Sequence, residues 1–165
     1  VEKMPDPLSR DDVNTFRSQT KIRFSQVDAA GIVFYPRYFE MLNAALEDWF
    51  SERIGVDFPT MHLKWRIGTP AANIEADFKS PAFLGQVIEI ELILVQIGRS
   101  SAQMAVSFTC ENRLILTGKY VIVCVDLDKL QPVAWPAAIR PAMERLLPRQ
   151  PAHKDSNLGP GDEAL

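Results

Sequence analysis

Histidine and cysteine are scarce in this sequence, with 2 of each among 165 residues. His62 and His153 have no companion at ligand spacing, and Cys110 and Cys124 sit inside apolar alternating segments, not in a redox or metal motif. A zinc centre or a Ser-His-Asp triad would have to be built from that thin supply, so neither is a leading reading. The thiols read as buried and free, which fits a reducing cytosol. There is no Gly-rich loop of the Walker or dinucleotide type, so nucleotide cofactors of those kinds are not expected. There is no basic excess either: 18 Lys and Arg against 21 Asp and Glu leave a net charge of −3, too little positive charge to hold a nucleic acid backbone. The longest unbroken apolar run, 120–125, is far short of the ~20 residues of a membrane helix. The opening residues VEKMPDPLSR contain no apolar signal region, and a cytoplasmic location is expected.

What is present is the ordinary balance of a globular chain, with 47% hydrophobic and 24% charged residues in a length that suits one core. Periodicity divides it. Ser101–Cys110 alternates Ala102, Met104, Val106, Phe108 and Cys110 with polar residues, which is the pattern of a strand with one wet face. Val87–Ile97 repeats it with Ile88, Ile90, Leu92 and Leu94 against Glu89 and Glu91, and Gly98, Arg99 and Ser100 between the two read as a tight hairpin. Ala72, Ile74, Ala76 and Phe78 alternate with Asn73, Glu75, Asp77 and Lys79. Residues 21–27 alternate Ile22 and Phe24 with polar neighbours, and 115–125 reads as a central strand.

Only one long segment has the helical period. After Pro36, the residues Phe39, Leu42, Leu46, Trp49 and Phe50 form one stripe and Arg37, Glu40, Glu47, Asp48 and Glu52 the other. Pro36 suits the first helical position and Gly55 the end. A shorter amphipathic stretch, 137–147, predicts a terminal helix. Residues 1–15 and 149–165, rich in Pro, Gly and charge, read as flexible tails around one domain at 16–148. Strand, long helix, four strands and short helix make an α+β chain whose antiparallel sheet packs on the helix.

Asp28 lies where the first predicted strand ends, eight residues before Pro36. A carboxylate there stands near free amides and the positive end of a helix dipole, a setting for a base or nucleophile beside an oxyanion site. Asp28 and Gly31 also suit a plain turn, and the local pattern leaves both readings open.

The segment RFSQVDAAGIVFYPRYFEMLNAALEDWF resembles the signature of the 4-hydroxybenzoyl-CoA thioesterase family, hotdog-fold enzymes with Asp-x-x-Gly-x-Val followed by a Tyr at the helix start. IGTPAANIEADF and WPAAIRPAMERL resemble further segments of the Pseudomonas-type members, so the likeness spans roughly 18–147. It implies a sheet wrapped around one central helix and hydrolysis of an acyl-CoA thioester. Carried over residue by residue, Asp28 is the catalytic carboxylate and the backbone N–H of Tyr35 polarises the thioester carbonyl. The same likeness implies that Thr69, Pro70 and Ala71 line the acyl and pantetheine channel with Phe58 nearby, and that Gly98, Arg99 and Ser100 are the hairpin that touches the CoA nucleotide. Relatives have a more basic hairpin; here only Arg99 keeps the charge.

Tyr35 followed by Pro36 resembles the aryl-CoA members, whereas alkyl-accepting relatives commonly have His there, which implies an aromatic, 4-hydroxybenzoyl-like acyl group. No metal or cofactor is expected beyond the CoA carried by the substrate, because thiolate is already a good leaving group. The likeness also implies a homodimer or homotetramer. A general short- or medium-chain acyl-CoA thioesterase is one alternative, and a binding module for acyl-CoA or acyl carrier that has lost the chemistry is another. A hydratase would want a site histidine, and neither histidine lies near Asp28. Another hotdog branch puts its carboxylate on the helix, but Glu40 and Glu47 fall on the charged stripe and read as solvated. Trp49, Trp65 and Trp135 read as core or interface, and His62 as surface.

Overall fold

Alternation becomes a strand where one face has a core to cover, and the computed structural model, which describes residues 13–148, follows that rule closely. Its elements are β1 (Thr15–Lys21), α1 (Pro36–Trp49), β2 (Ile67–Gly68), β3 (Ala71–Phe78), β4 (Val87–Ile97), β5 (Ser101–Cys110), β6 (Arg113–Val123), β7 (Val125–Asp126), β8 (Gln131–Pro132) and α2 (Arg140–Arg145). Five strands form one antiparallel sheet in the order β1-β4-β5-β6-β3, and β2, β7 and β8 form a small second one. The strands β4 and β5 have the expected bounds, and their inward residues Ile88, Ile90, Leu92, Leu94, Ala102, Met104, Val106 and Phe108 are buried.

The helix buries Tyr38, Met41, Leu42, Ala45, Leu46 and Trp49 against that face, so its stripe is rotated slightly from the expected one and Phe39 is only half-buried. A π-helical turn, Phe50–Ile54, prolongs it to Gly55, whose φ of 81° closes the helix in the left-handed conformation that glycine adopts without steric cost. Helix α1 packs towards β1 and β4 and reaches β5 through Tyr38 and Phe108, whose ring centroids are 5.8 Å apart. It leaves β3 bare. All of β3 except Ala76 is exposed, although it sits in register with β6 and comes so close at Gly118 that a Cβ there would stand 2.3 Å from the Glu75 carbonyl oxygen.

Three expectations need correction. The first strand is not 21–27 but Thr15–Lys21, paired along its whole length with β4; Ile22 is buried, but Phe24 lies in a 3₁₀ turn, Phe24–Gln26, and is 83% exposed. That strand begins at Thr15, so the last residue of the expected N-terminal tail belongs to the sheet; tail residues 1–12 and 149–165 lie outside the described residues. The terminal helix is short, Arg140–Arg145, because Pro141 has no N–H to donate to the carbonyl four residues back and the chain before Arg140 forms turns.

Candidate active site

The segment from Gln26 to Phe34 doubles back on itself. Phe34 N–H donates to Gln26 O at 3.0 Å, Val27 and Val33 form a bridge, and Asp28 N–H donates to Ile32 O at 2.9 Å. Gly31, with a φ of 75°, completes the turn, and its N–H donates to Asp28 O at 3.0 Å. The Asp28 carboxylate accepts the Ala30 N–H at 2.8 Å. This is an Asx turn, so the plain-turn reading of Asp28 and Gly31 is correct as local structure. The turn also fixes the carboxylate. Asp28 is exposed, with one oxygen committed to the turn and the other without a protein partner among the described residues.

The same ribbon delivers the chain to the head of α1. Tyr35 is the N-cap and Pro36 the first helical residue, so no N–H is lost at that position. Arg37 N–H donates to Phe34 O at 2.9 Å and Tyr38 N–H to Tyr35 O at 3.2 Å. The Tyr35 N–H donates to no acceptor among the described residues. A free amide at the positive end of a 14-residue helix is suited to hold negative charge, and it follows within seven residues of a carboxylate fixed in a turn.

Rings crowd this end of the sheet. Phe34 packs edge-on to Tyr35 at 5.5 Å, Tyr35 to Phe78 at 6.4 Å, and Phe78 lies 5.9 Å from Tyr38. Tyr38 is buried, and burial raises the pKa of its hydroxyl above the ordinary tyrosine value. Phe34, Tyr35 and Phe78 are 49%, 60% and 49% exposed. In the sequence Phe78 is only the last of the alternating apolar residues Ala72, Ile74, Ala76 and Phe78, and its part in this rim was not expected from it.

The other expected site residues lie at the opposite end. Thr69 is buried between β2 and β3, Pro70 O accepts the Val123 N–H at 3.1 Å, and Ala71 opens β3. Next to them is the hairpin of Gly98, Arg99 and Ser100, whose Ser100 O accepts the Cys124 N–H at 2.6 Å. Phe58 packs on Phe50 at 5.6 Å and on His62 at 4.8 Å, and the His62 imidazole Nδ1 hydrogen-bonds Phe58 O at 2.9 Å. His62 is thus half-buried and ordered by Phe58, not a free surface side chain. The structure brings Asp28 and Tyr35 to one end of β3 and the remaining expected site residues to the other. Eight residues of strand separate them, roughly 23 Å at about 3.3 Å per residue.

The hairpin is held from behind. Arg140 Nη1 donates to Gly98 O at 2.9 Å, Trp135 N–H to Arg99 O at 3.0 Å, and the Trp135 indole to Ser101 O at 3.0 Å. Arg140 also donates from Nε to Glu144 at 2.8 Å, whereas Arg99 is exposed and forms no ion pair among the described residues. Neither Arg140 nor Trp135 was singled out for this role in the sequence, because their carbonyl partners are some forty residues away. Glu40 pairs with Arg37 on the wet face of α1 and Glu47 is exposed, as expected. Cys110 and Cys124 are buried free thiols, also as expected, and burial pushes the Cys124 thiol up to about 11.

Comparison with known proteins agrees with this architecture. Residues 22–143 match the model of the thioesterase-like superfamily. The chain is 29% identical over 93 residues to 1,4-dihydroxy-2-naphthoyl-CoA hydrolase of Crocosphaera subtropica, covering 56% of this chain and 67% of that protein. It is 22% identical over 134 residues to the acyl-CoA thioesterase YbgC of Haemophilus influenzae, covering 81% of this chain and 97% of that one. Among solved structures it resembles a gentisyl-coenzyme A thioesterase, with a TM-score of 0.69 and 25% identity over 76% of this chain and 99% of that one. The chain belongs to the thioesterase-like superfamily and is a thioester hydrolase built on the hotdog fold.

Proposed function

We propose that this protein hydrolyses an aryl-CoA thioester to the free acid and CoA, with the Asp28 carboxylate and the Tyr35 amide as the reacting pair. The observation that carries this reading is the Tyr35 N–H, without an acceptor at the head of α1 and framed by half-exposed rings. As the thioester carbon is attacked, its carbonyl oxygen gains negative charge, and a preoriented amide at a helix N-terminus stabilises that charge more than it stabilises the ground state. Asp28 either adds to the carbon, giving an acyl-carboxylate anhydride that water then hydrolyses, or removes a proton from the attacking water. Both routes expel CoA thiolate, which takes up a proton in solvent. The reading calls for no cofactor besides the CoA carried by the substrate.

The site is completed by a second copy of the chain. The unpaired edge of β3 is exposed, and exposed edges pair with other strands unless they are blunted. Antiparallel pairing of two β3 strands about a two-fold axis sets the Phe78 end of one against the Ala71 end of the other. That closes the gap of roughly 23 Å, because Asp28 and Tyr35 of one chain then face Thr69, Pro70, Ala71 and the Arg99 hairpin of its partner.

An aromatic acyl group is supported by the rings around Tyr35 and by relatives that are named for dihydroxynaphthoyl-CoA and gentisyl-CoA. A hydroxylated ring of the 4-hydroxybenzoyl kind fits the same rim. The likeness to an acyl-CoA thioesterase without a named acyl group supports the second reading, a general acyl-CoA hydrolase. Free-thiol release from benzoyl-, hydroxybenzoyl- and hexanoyl-CoA separates them. The aryl reading expects kcat/KM for an aryl ester to exceed that for hexanoyl-CoA by at least about tenfold, or ~1.4 kcal/mol of differential transition-state binding. Equal rates support the general hydrolase, and no release from any ester supports a binding module.

A further inference from the structure

We infer that Phe78 is the specificity-determining residue for the acyl group, the ring against which a planar acyl moiety stacks. The inference rests on the aryl-thioester reading and adds a residue to it.

Phe78 is the last residue of β3 and pairs with Leu116, so both side chains lie on the inner face of the sheet. Leu116 is buried there; Phe78 is 49% exposed because α1 stops short of the edge strand. Its ring is held by two others. Tyr38, at 5.9 Å, packs it from the core side and is itself backed by the buried ring of Phe108 at 5.8 Å, while Tyr35 meets its edge at 6.4 Å with an interplanar angle of 80°. A half-exposed ring braced by two others offers aromatic surface in a fixed position, and an aryl group gains from offset or edge contact with such a ring beyond the area it buries. Phe34 meets only Tyr35 among the ring contacts, and Tyr35 is held to the core through Phe78, so Phe78 is the best-braced of the three exposed rings.

The space beneath the rim points the same way. The cavity between α1 and β3, lined by Tyr38, Phe39, Leu42, Ile74 and Ala76 among others, measures about 10 Å³. That holds no more than a water, whereas a cavity that takes up benzene is on the order of 150 Å³. An acyl ring at the Tyr35 amide therefore lies across the rim and not under the helix, and Phe78 is the rim residue beside Tyr35 on the strand side.

Two substitutions separate ring from bulk. Phe78→Met keeps an apolar side chain of similar size and removes the ring; Phe78→Tyr keeps the ring. With benzoyl-CoA and hexanoyl-CoA as substrates, Phe78→Met is expected to lower kcat/KM for the aryl ester about tenfold while changing the alkyl ester less than about twofold, and Phe78→Tyr to keep the wild-type ratio. An equal fall for both esters would show a merely structural role, and an unchanged ratio would show that the ring stacks elsewhere; either overturns the inference. Should Phe78→Met fail to fold, as judged by melting and size-exclusion, Phe78→Leu is read in the same way. The wild-type ratio tells the two failures apart: no aryl preference in the wild type sinks the aryl reading and this inference with it, whereas a wild-type preference that survives in Phe78→Met sinks the inference alone.

Discussion

Arg140 donates from Nη1 to the carbonyl oxygen of Gly98 at 2.9 Å, tying the terminal helix to the hairpin forty-two residues earlier in the chain. With Trp135 on the Arg99 and Ser101 carbonyls and the Cys124 amide on Ser100, all four carbonyl groups of 98–101 are occupied from the protein side. The hairpin is therefore rigid, and its one charged side chain, Arg99, projects outward. Arg140 is paired with Glu144, so on the proposed reading Arg99 is the hairpin charge that would meet a CoA phosphate.

Arg99→Ala is accordingly expected to raise KM for a CoA thioester by about fivefold, the effect of losing one exposed charge pair of about 1 kcal/mol. The matching N-acetylcysteamine thioester has no phosphates and should be hydrolysed with unchanged KM. Steady-state kinetics on both esters make the check; an equal rise for the two would place the nucleotide elsewhere.

Asp28→Asn removes the charge and keeps the shape, and the amide oxygen still accepts from Ala30 in the turn. The melting temperature should stay within a few degrees of wild type. Thioester hydrolysis should fall by at least about a hundredfold, ~2.7 kcal/mol of transition-state stabilisation. A variant that kept more than about a tenth of the wild-type rate would remove Asp28 from the chemistry.

These residues were not all equally legible in the sequence. Strands β4 and β5 were, because a buried face of Ile and Leu opposite Glu and Ser leaves a period of two that no helix shares. Strand β1 was not. In TFRSQTK only Phe16 and Thr15 are buried, since an outer strand can be polar along most of its length, and the false alternation at Ile22 and Phe24 was stronger than the true one. Strand β3 shows the converse limit: Ala72, Ile74, Ala76 and Phe78 alternate cleanly yet none is fully buried, because periodicity reports which residues share a face and not how much lies on it. Asp28 stood out by its place eight residues before Pro36, although the same residues suited a plain turn, and Tyr35 was singled out only through the family resemblance. The separation of the expected site into two groups, and the grip of Arg140 on the hairpin, depend on strand order, which the residues do not carry locally.

Burial of Cys124 predicts a pH effect on stability. The thiol ionises near 9 in an unfolded chain and only at about 11 in the folded one. Between those values the unfolded chain has lost a proton that the folded one keeps, so raising the pH favours unfolding. The contribution is fully present below pH 9 and is lost as the pH rises through 11, on the order of 2–3 kcal/mol in all. Burial also raises Cys110, Tyr38 and Tyr120, which act in the same direction. Urea unfolding from pH 8 to 11 should show falling stability, with a shallower fall in Cys124→Ala; parallel curves would mean that the thiol is hydrated in the native state.

The division of the site between two chains can be tested by complementation. If Asp28 and Tyr35 of one chain work with Thr69, Pro70 and Ala71 of its partner, two defects at opposite ends of β3 can be carried by different chains. Asp28→Asn disables the carboxylate, and Ala71→Trp fills the opening of the channel at an exposed position. Each variant alone should be a dimer by size-exclusion and nearly inactive. Mixed in equal amounts, unfolded and refolded together, they form hybrids in half of all pairings, and each hybrid has one site with both groups intact. Recovery of about a quarter of the wild-type activity is expected from that two-fold symmetry. A site built within one chain gives no recovery under any mixing ratio, because each chain then carries its own defect. Dependence of the recovered activity on the unfolding step distinguishes exchange of subunits from contamination by wild type, since folded homodimers mixed without denaturant keep both defects paired.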